Sequence, residues 1–208
     1  MIYLVLASAS EDRKRCFERI LFPVIIIPSN FDESSVPINS PPQYVQQLAF
    51  QKANHVRNLW ISNYLSKYGD AVIIGADTMV VMGEELIGKA QSVEEAHQIL
   101  NHLSGRTHEL FTGVCLLSTK SLDNLEKISF YSRAKVHMQK LTHHEINLYL
   151  SESGEFQGRA GAYSLYDRAS LFIDFIEGSP TNVLGLPMAV LRKKLLSFGI
   201  DLLKPSGF

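Results

Sequence analysis

A carboxylate placed twelve residues before a lysine frames the first candidate chemistry. The stretch Ala71-Val-Ile-Ile-Gly-Ala-Asp77-Thr78 carries apolar residues into Gly75 and then presents an acid. Read as a buried strand, it delivers Asp77 at its carboxyl end, a position that serves a metal or a general base in α/β proteins. Lys89 follows the turn signals Gly83 and Gly88. Carboxylates bind Mg²⁺ through oxygen, and Mg²⁺ usually bridges substrate phosphates. Lysine adds compact positive charge for phosphate oxygens. The pair therefore suggests a site for a charged, metal-bound substrate. The competing account is a strand-end Asp that caps a turn.

Three further groups could join that chemistry. Leu6-Ala-Ser8-Ala-Ser10-Glu-Asp-Arg13 reads as a strand, a serine-rich turn and a helix start. Backbone N–H groups and the helix dipole favour an anion there, and Arg13 could clamp a phosphate with two N–H groups. The plainer alternative is a capped helix with a solvated basic face, and the Walker A pattern is absent. Asp32 and Glu33 sit in a polar loop, where they could assist a metal or simply be solvated. Lys52 falls in an apolar helical stripe with Val45, Leu48, Ala49, Val56 and Leu59. Burying its ammonium requires a partner, unless only the stem is covered and the head reaches water. The seven histidines form no HExxH pair. The adjacent His143 and His144 read as surface residues, and His108 has no partner visible in the sequence.

The elements that must position these groups follow from periodicity and punctuation. Strands are expected at Ile2–Leu6, Pro23–Ile27, Thr107–Thr119, Ile128–Gln139 and Ser170–Ile176, besides the Asp77 strand. Helices are expected over Glu11–Ile20, Gln43–Tyr64, from Ser92 to about Leu103, from Thr142 to about Glu152, and from near Gly185 to Phe198. Ser92-Val-Glu-Glu95 and Thr142-His-His-Glu145 both read as capping boxes. Pro28–Pro42 is the longest irregular stretch, of a length at which loops tend to carry function. Polar turns are expected near Ser121–Glu126 and at Gly178-Ser-Pro180. The early alternation of strand and helix, followed by a ribbon of strands, predicts a mixed sheet in an α/β or α+β architecture.

The chain has 208 residues, 46% hydrophobic and 20% charged, which suits one domain with a sizeable core. A formal net charge of -1 argues against a broad nucleic-acid surface. Cys16 and Cys115 lack metal or disulfide-framework spacing, which fits a reducing cytoplasm. No run is long enough for a membrane span, and the apolar amino terminus is about one strand long, too short for a signal peptide.

Taken together, the segments resemble the Maf family of nucleotide pyrophosphatases. They are Leu6-Ala-Ser-Ala-Ser10 with Arg13; Asp32-Glu33; Leu48-Ala-Phe-Gln-Lys52-Ala53; Gly75-Ala-Asp77-Thr78; Gly88-Lys89; Leu103-Ser-Gly-Arg-Thr-His108 with Thr112-Gly113; Ala160-Gly-Ala-Tyr163; and Gly178 with Asn182-Val-Leu-Gly-Leu-Pro187. They occur in the family's order across nearly the whole chain. The resemblance implies a single two-lobed domain with an elongated mixed α/β fold, similar to inosine triphosphate pyrophosphatases, with a cleft between the lobes. It implies a cytoplasmic, often homodimeric enzyme that uses Mg²⁺ or Mn²⁺ to hydrolyse nucleoside triphosphates to monophosphate and pyrophosphate. Gly-Ala-Asp-Thr resembles the branch acting on dTTP and UTP, and such enzymes also clear noncanonical nucleotides. A nucleotide-binding regulator of cell division with little catalysis is the alternative.

By the same resemblance, Asp77 is the catalytic acid or metal ligand and Glu33 a metal or water partner. Ser8, Arg13, Lys52 and Lys89 are triphosphate ligands, with Lys52 turned toward the cleft. Two departures stand out. Asp12 occupies a place where the family carries arginine, and an acid there opposes a bound phosphate unless Lys14 or Arg15 compensates. Tyr166 stands where the family carries glutamine, offering a ring and a hydroxyl near the base in place of an amide.

Overall fold

The computed structural model describes residues 2–120 and 125–204. Strand β1 spans Tyr3–Ala7, and helix α1, Glu11–Arg19, starts on the side chain of Ser10. Only Ile25–Ile26 of the apolar run after Pro23 pairs as a strand, β2. The polar loop contains a 3-10 turn, Glu33–Ser35, capped by Asp32. Pro41–Asn63 forms the long helix α2, two residues earlier than its apolar stripe predicts, because prolines suit the first helical turn. A short helix α3, Leu65–Tyr68, precedes strand β3 at Ala71–Met82. Then follow β4 at Glu85–Ile87, α4 at Val93–Leu103, β5 at Thr107–Ser118 and β6 at Lys127–Met138. The chain continues through α5 at His143–Ser153, a 3-10 turn at Arg168–Leu171, β7 at Ile173–Glu177, α6 at Pro180–Val183 and α7 at Met188–Leu195. A 3-10 turn, Leu196–Phe198, extends α7. The turn expected at Ser121–Glu126 lies mostly outside the described residues.

The strands form one mixed sheet in the order β2-β1-β3-β5-β6-β7, with β4 paired to β3. β1 is parallel to both β2 and β3, whereas β3–β4 and β6–β7 are antiparallel. This is the mixed α/β architecture expected from the alternating elements. Thr142 and Glu145 complete a reciprocal capping box. At the other expected box, Ser92 accepts from the Glu95 N–H, but the Glu95 carboxylate reaches back to the N–H of Gln91 instead of that of Ser92.

Two compact units divide the chain. The first comprises residues 1–77, 112–132 and 185–208, and the second 78–111 and 133–184. In the first, Val5, Ala7, Ala49, Ala53, Val56, Trp60 and Ile73 make a core between α2 and the sheet. In the second, Val80, Leu100, Leu103, Val136, Ile146 and Phe172 share a core.

Helix α2 lies unusually close to the sheet. A Cβ on Gly75 would sit 2.0 Å from the carbonyl oxygen of Ala49 and 2.7 Å from the nitrogen of Ala53. On β5, a Cβ on Gly113 would meet the Val45 carbonyl oxygen at 2.3 Å. Backbone atoms cannot yield as a flexible side chain can. Gly75→Ala should therefore cost about 3 kcal/mol, at the upper end of the usual overpacking range. Gly88→Ala, where an added Cβ meets nothing within 4 Å, should stay within about 0.5 kcal/mol of the parent. Urea unfolding of the two variants checks the contrast.

Candidate functional site

Asp77 is not at the carboxyl end of its strand. β3 runs on to Met82, because Val80–Met82 pair with Glu85–Ile87 in a hairpin that the apolar run before Gly75 does not reveal. The end that matters belongs to the neighbouring strand. Parallel pairing of β1 with β3 stops at Ala7 opposite Gly75. Asp77 thus lies two residues past that limit, beside the point where β1 gives way to Ser8. An acid beyond the carboxyl end of a parallel strand is well placed for a ligand.

Side chains alternate along a strand, so Gly75 and Asp77 share a face. Gly75 admits α2, and Lys52 sits on that helix between Ala49 and Ala53. Its ammonium donates to Asp77 Oδ1 at 2.5 Å and lies 2.8 Å from Glu33 Oε1. Lys52 and Asp77 are buried, while the Glu33 side chain is 45% exposed. Of the two readings of Lys52, the paired, inward ammonium is the one observed. Asp32, by contrast, turns its carboxylate to the Ser34 N–H and hydroxyl. Those bonds hold its pKa below the usual range, and it makes a local cap.

Arg13 completes the cluster. Its backbone N–H meets the Ser10 hydroxyl at the helix start. Its side chain is buried, with Nε donating to the Gly185 carbonyl at 3.0 Å and Nη1 to the Ser8 hydroxyl at 3.1 Å. Burial lowers its pKa, while Asp77 and Glu33 act in the opposite sense. The structure thus gathers five expected site residues in the first unit: Ser8, Arg13, Glu33, Lys52 and Asp77. Asp12 is also buried, with Arg15 4.0 Å away to offset its charge. Lys14 pairs instead with Glu11 and Glu18.

Lys89 and Tyr166 belong to the second unit. Lys89 is exposed and forms a backbone bridge with Ala160. Tyr166 is 45% exposed in the turn that precedes the Arg168–Leu171 segment. His108, partnerless in the sequence, is fully buried with Nε2 2.7 Å from the Tyr163 hydroxyl. His143 and His144 are exposed, as expected.

Two contributors escape a reading of motifs alone. Tyr44 is half-buried on α2, and its pKa is raised by burial and by the fields of Asp77 and Glu33. It stands in an i, i+4, i+8 row with Leu48 and Lys52, a spacing that shares one helix face and could have flagged it. Gly185 supplies the carbonyl that holds Arg13, a contact spanning 172 residues that no local pattern announces.

A family profile described as "Maf-like protein" matches residues 3–198. A Clostridium botulinum (strain 657 / Type Ba4) protein named dTTP/UTP pyrophosphatase is 36% identical over 96% of this chain and 98% of its own length. A Bacillus cereus (strain G9842) protein of the same name is 35% identical over 95% and 96%. Among solved structures, a Mycobacterium abscessus nucleoside-triphosphatase (dITP/XTP pyrophosphatase) is 14% identical with TM-score 0.37, covering 66% of this chain and 74% of that one.

The His108–Tyr163 pair yields a pH prediction. Burial, aided by His137, pushes the His108 pKa down to about 4 from 6.5. Between those values the unfolded chain binds a proton that the folded chain refuses. This contribution to stability is complete above pH 6.5 and is lost as pH falls toward 4, at about 1.4 kcal/mol per pH unit. Chemical denaturation across that window should show the slope, and His108→Asn should remove this component. In an NMR titration the His108 ring should remain neutral down to about pH 4.

Proposed function

The chain belongs to the Maf family, and on that premise we propose that it hydrolyses a nucleoside triphosphate to the monophosphate and pyrophosphate. The observation that carries this reading is the convergence of Asp77 and Glu33 on the Lys52 ammonium, beside the buried Arg13. Thymidine and uridine triphosphates are the first substrates to try, because the relatives just described are named for them.

Each residue has a role that its position supports. Asp77 takes a proton from the attacking water or helps hold a metal, with Glu33 beside it. Water adds to the α-phosphorus, and the bond to the bridging oxygen breaks so that pyrophosphate leaves. Lys52 meets the charge that develops on phosphate oxygens, the usual task of fixed cations in phosphoryl transfer. Arg13 clamps a substrate phosphate in the ground and transition states alike. Ser8 holds Arg13 and lines the same turn. Lys89 and Tyr166 remain proposed substrate contacts, for phosphate and base respectively.

The donor set fits a hard divalent cation, Mg²⁺ or Mn²⁺. Two carboxylates close on one point, now held by the Lys52 ammonium. Among the described residues no group of three or more His, Cys, Asp or Glu side chains could cage a metal. Mg²⁺ commonly takes just one or two carboxylates and fills its remaining positions with water and substrate phosphates. Such an ion, held by Asp77 and Glu33, would supply Lewis-acid charge at the reacting phosphate. Among the described residues no helix is long and apolar enough to cross a membrane. A homodimer in the cytoplasm completes the proposal.

A nucleotide panel with Mg²⁺ or Mn²⁺ tests this reading. Monophosphate and pyrophosphate should appear in equal amounts, most rapidly from dTTP or UTP. Orthophosphate as the first product, or binding without turnover, would overturn it; the second outcome would favour a nucleotide-binding regulator. Asp77→Asn should lower kcat by about 10²-fold or more. Lys52 keeps Glu33 in that variant, so circular dichroism should show a retained fold.

A further inference from the structure

The Gly185-Leu-Pro187 segment carries no chemistry of its own, yet it touches the phosphate-facing turn directly. We infer that Gly185 is a positioning residue: its backbone carbonyl fixes the plane in which Arg13 presents its guanidinium to a bound phosphate. The inference rests on the reading of Arg13 as a phosphate ligand.

The geometry is a two-point anchor. Arg13 Nε donates to Gly185 O at 3.0 Å, and Nη1 donates to Ser8 Oγ at 3.1 Å. Two bonds from different nitrogens of a planar group fix both its position and its tilt. The Ser8 hydroxyl is itself held, accepting from the Ser10 N–H at 3.1 Å. An arginine tethered in this way loses less freedom when it meets an anion. Burial makes the anchor consequential, because a buried guanidinium without fixed acceptors would be costly.

The direction of the Gly185 carbonyl depends on a backbone state that only glycine adopts readily. Gly185 has φ of 88°, in the region where a Cβ is strained. It joins α6 to α7 within a tightly packed stretch. Leu186 is fully buried, and Pro187 caps α7 with its φ fixed by the ring. An alanine at 185 would favour negative φ and swing the carbonyl away from Nε. The packed neighbours would hinder any compensating shift. This explains a glycine at a site where a motif supplies no reacting group.

The test separates positioning from mere structure. In protein labelled with ¹⁵N-arginine, the Arg13 Nε–H should exchange with water at least 10-fold more slowly than that of an exposed arginine. In Gly185→Ala that protection should disappear. If the nucleotide reading holds, KM should rise about 10-fold with kcat changed less than threefold, since the anchor aids ground and transition states alike. A folded Gly185→Ala protein that keeps both the slow exchange and the parent KM would overturn the inference. Should that variant fail to fold, the parent protein still decides. Fast Nε–H exchange at Arg13 would overturn the anchor, and slow exchange that Ser8→Ala leaves intact would support Gly185 as the acceptor. The exchange measurement needs no substrate, so an absence of turnover would count against the nucleotide reading and leave the anchor standing.

Discussion

The approach of helix α2 to strand β3 at Gly75 is the contact on which the candidate site depends. A side chain at 75 would collide with the helix backbone, so the helix can approach closely only because glycine stands there. Strand alternation then places Asp77 on the same face, two residues on. Helical spacing places Lys52 between the two alanines that meet Gly75. The ion pair is therefore a consequence of backbone packing as much as of attraction between its charges. A second glycine on β5, Gly113, lets the same helix lie close along its amino-terminal half. The Lys52–Asp77 pair of the candidate site is thus built on a helix and a strand, where positions are held more firmly than on loops.

Glu33 and Arg13 reach this pair from less regular surroundings, and each is held differently. Glu33 comes from a 3-10 turn whose start is fixed by Asp32. Its side chain remains partly in water, so its attraction to Lys52 is screened and contributes modestly to stability. Arg13 is buried and gripped by a serine and a backbone carbonyl. One partner of Lys52 is thus half-exposed while the other, Asp77, is buried.

Much of this was legible in the sequence, for physical reasons that can be named. Apolar periodicity placed α2 and identified Lys52 as a cation on a buried face, because burying a charge breaks the 3.6-residue pattern visibly. The serine-rich turn before α1 announced itself through capping chemistry. The family resemblance then joined Asp77, Glu33 and Arg13 into one site. Other features stayed hidden. The continuation of β3 past Asp77 depends on pairing with β4, and pairing is a property of two segments. Ser92 and Glu95 have the spacing of a reciprocal box, but the carboxylate found the N–H one residue earlier. The grip of Gly185 on Arg13 arises only once distant segments meet. Tyr44 lay on the right face but lacks the unfavourable burial that made Lys52 conspicuous.

The charges of the cluster also constrain what it can bind. Lys52 and Arg13 are balanced by Asp77 and Glu33, and the buried Asp12 has Arg15 nearby. The cluster is close to neutral by itself, which explains how so many ionisable groups tolerate partial burial together. A triphosphate brings roughly four negative charges, far more than this balanced set can offset. Binding one therefore requires additional positive charge. In the proposed reaction a divalent cation held by Asp77 and Glu33 would supply it. It would compensate Asp77 and Glu33, and so release Lys52 to interact with the substrate. In the proposed reaction the metal and the nucleotide would favour one another's binding, because each would neutralise charge that the other leaves exposed. The carboxylates, which by themselves repel a phosphate, would then recruit the ion that draws it in.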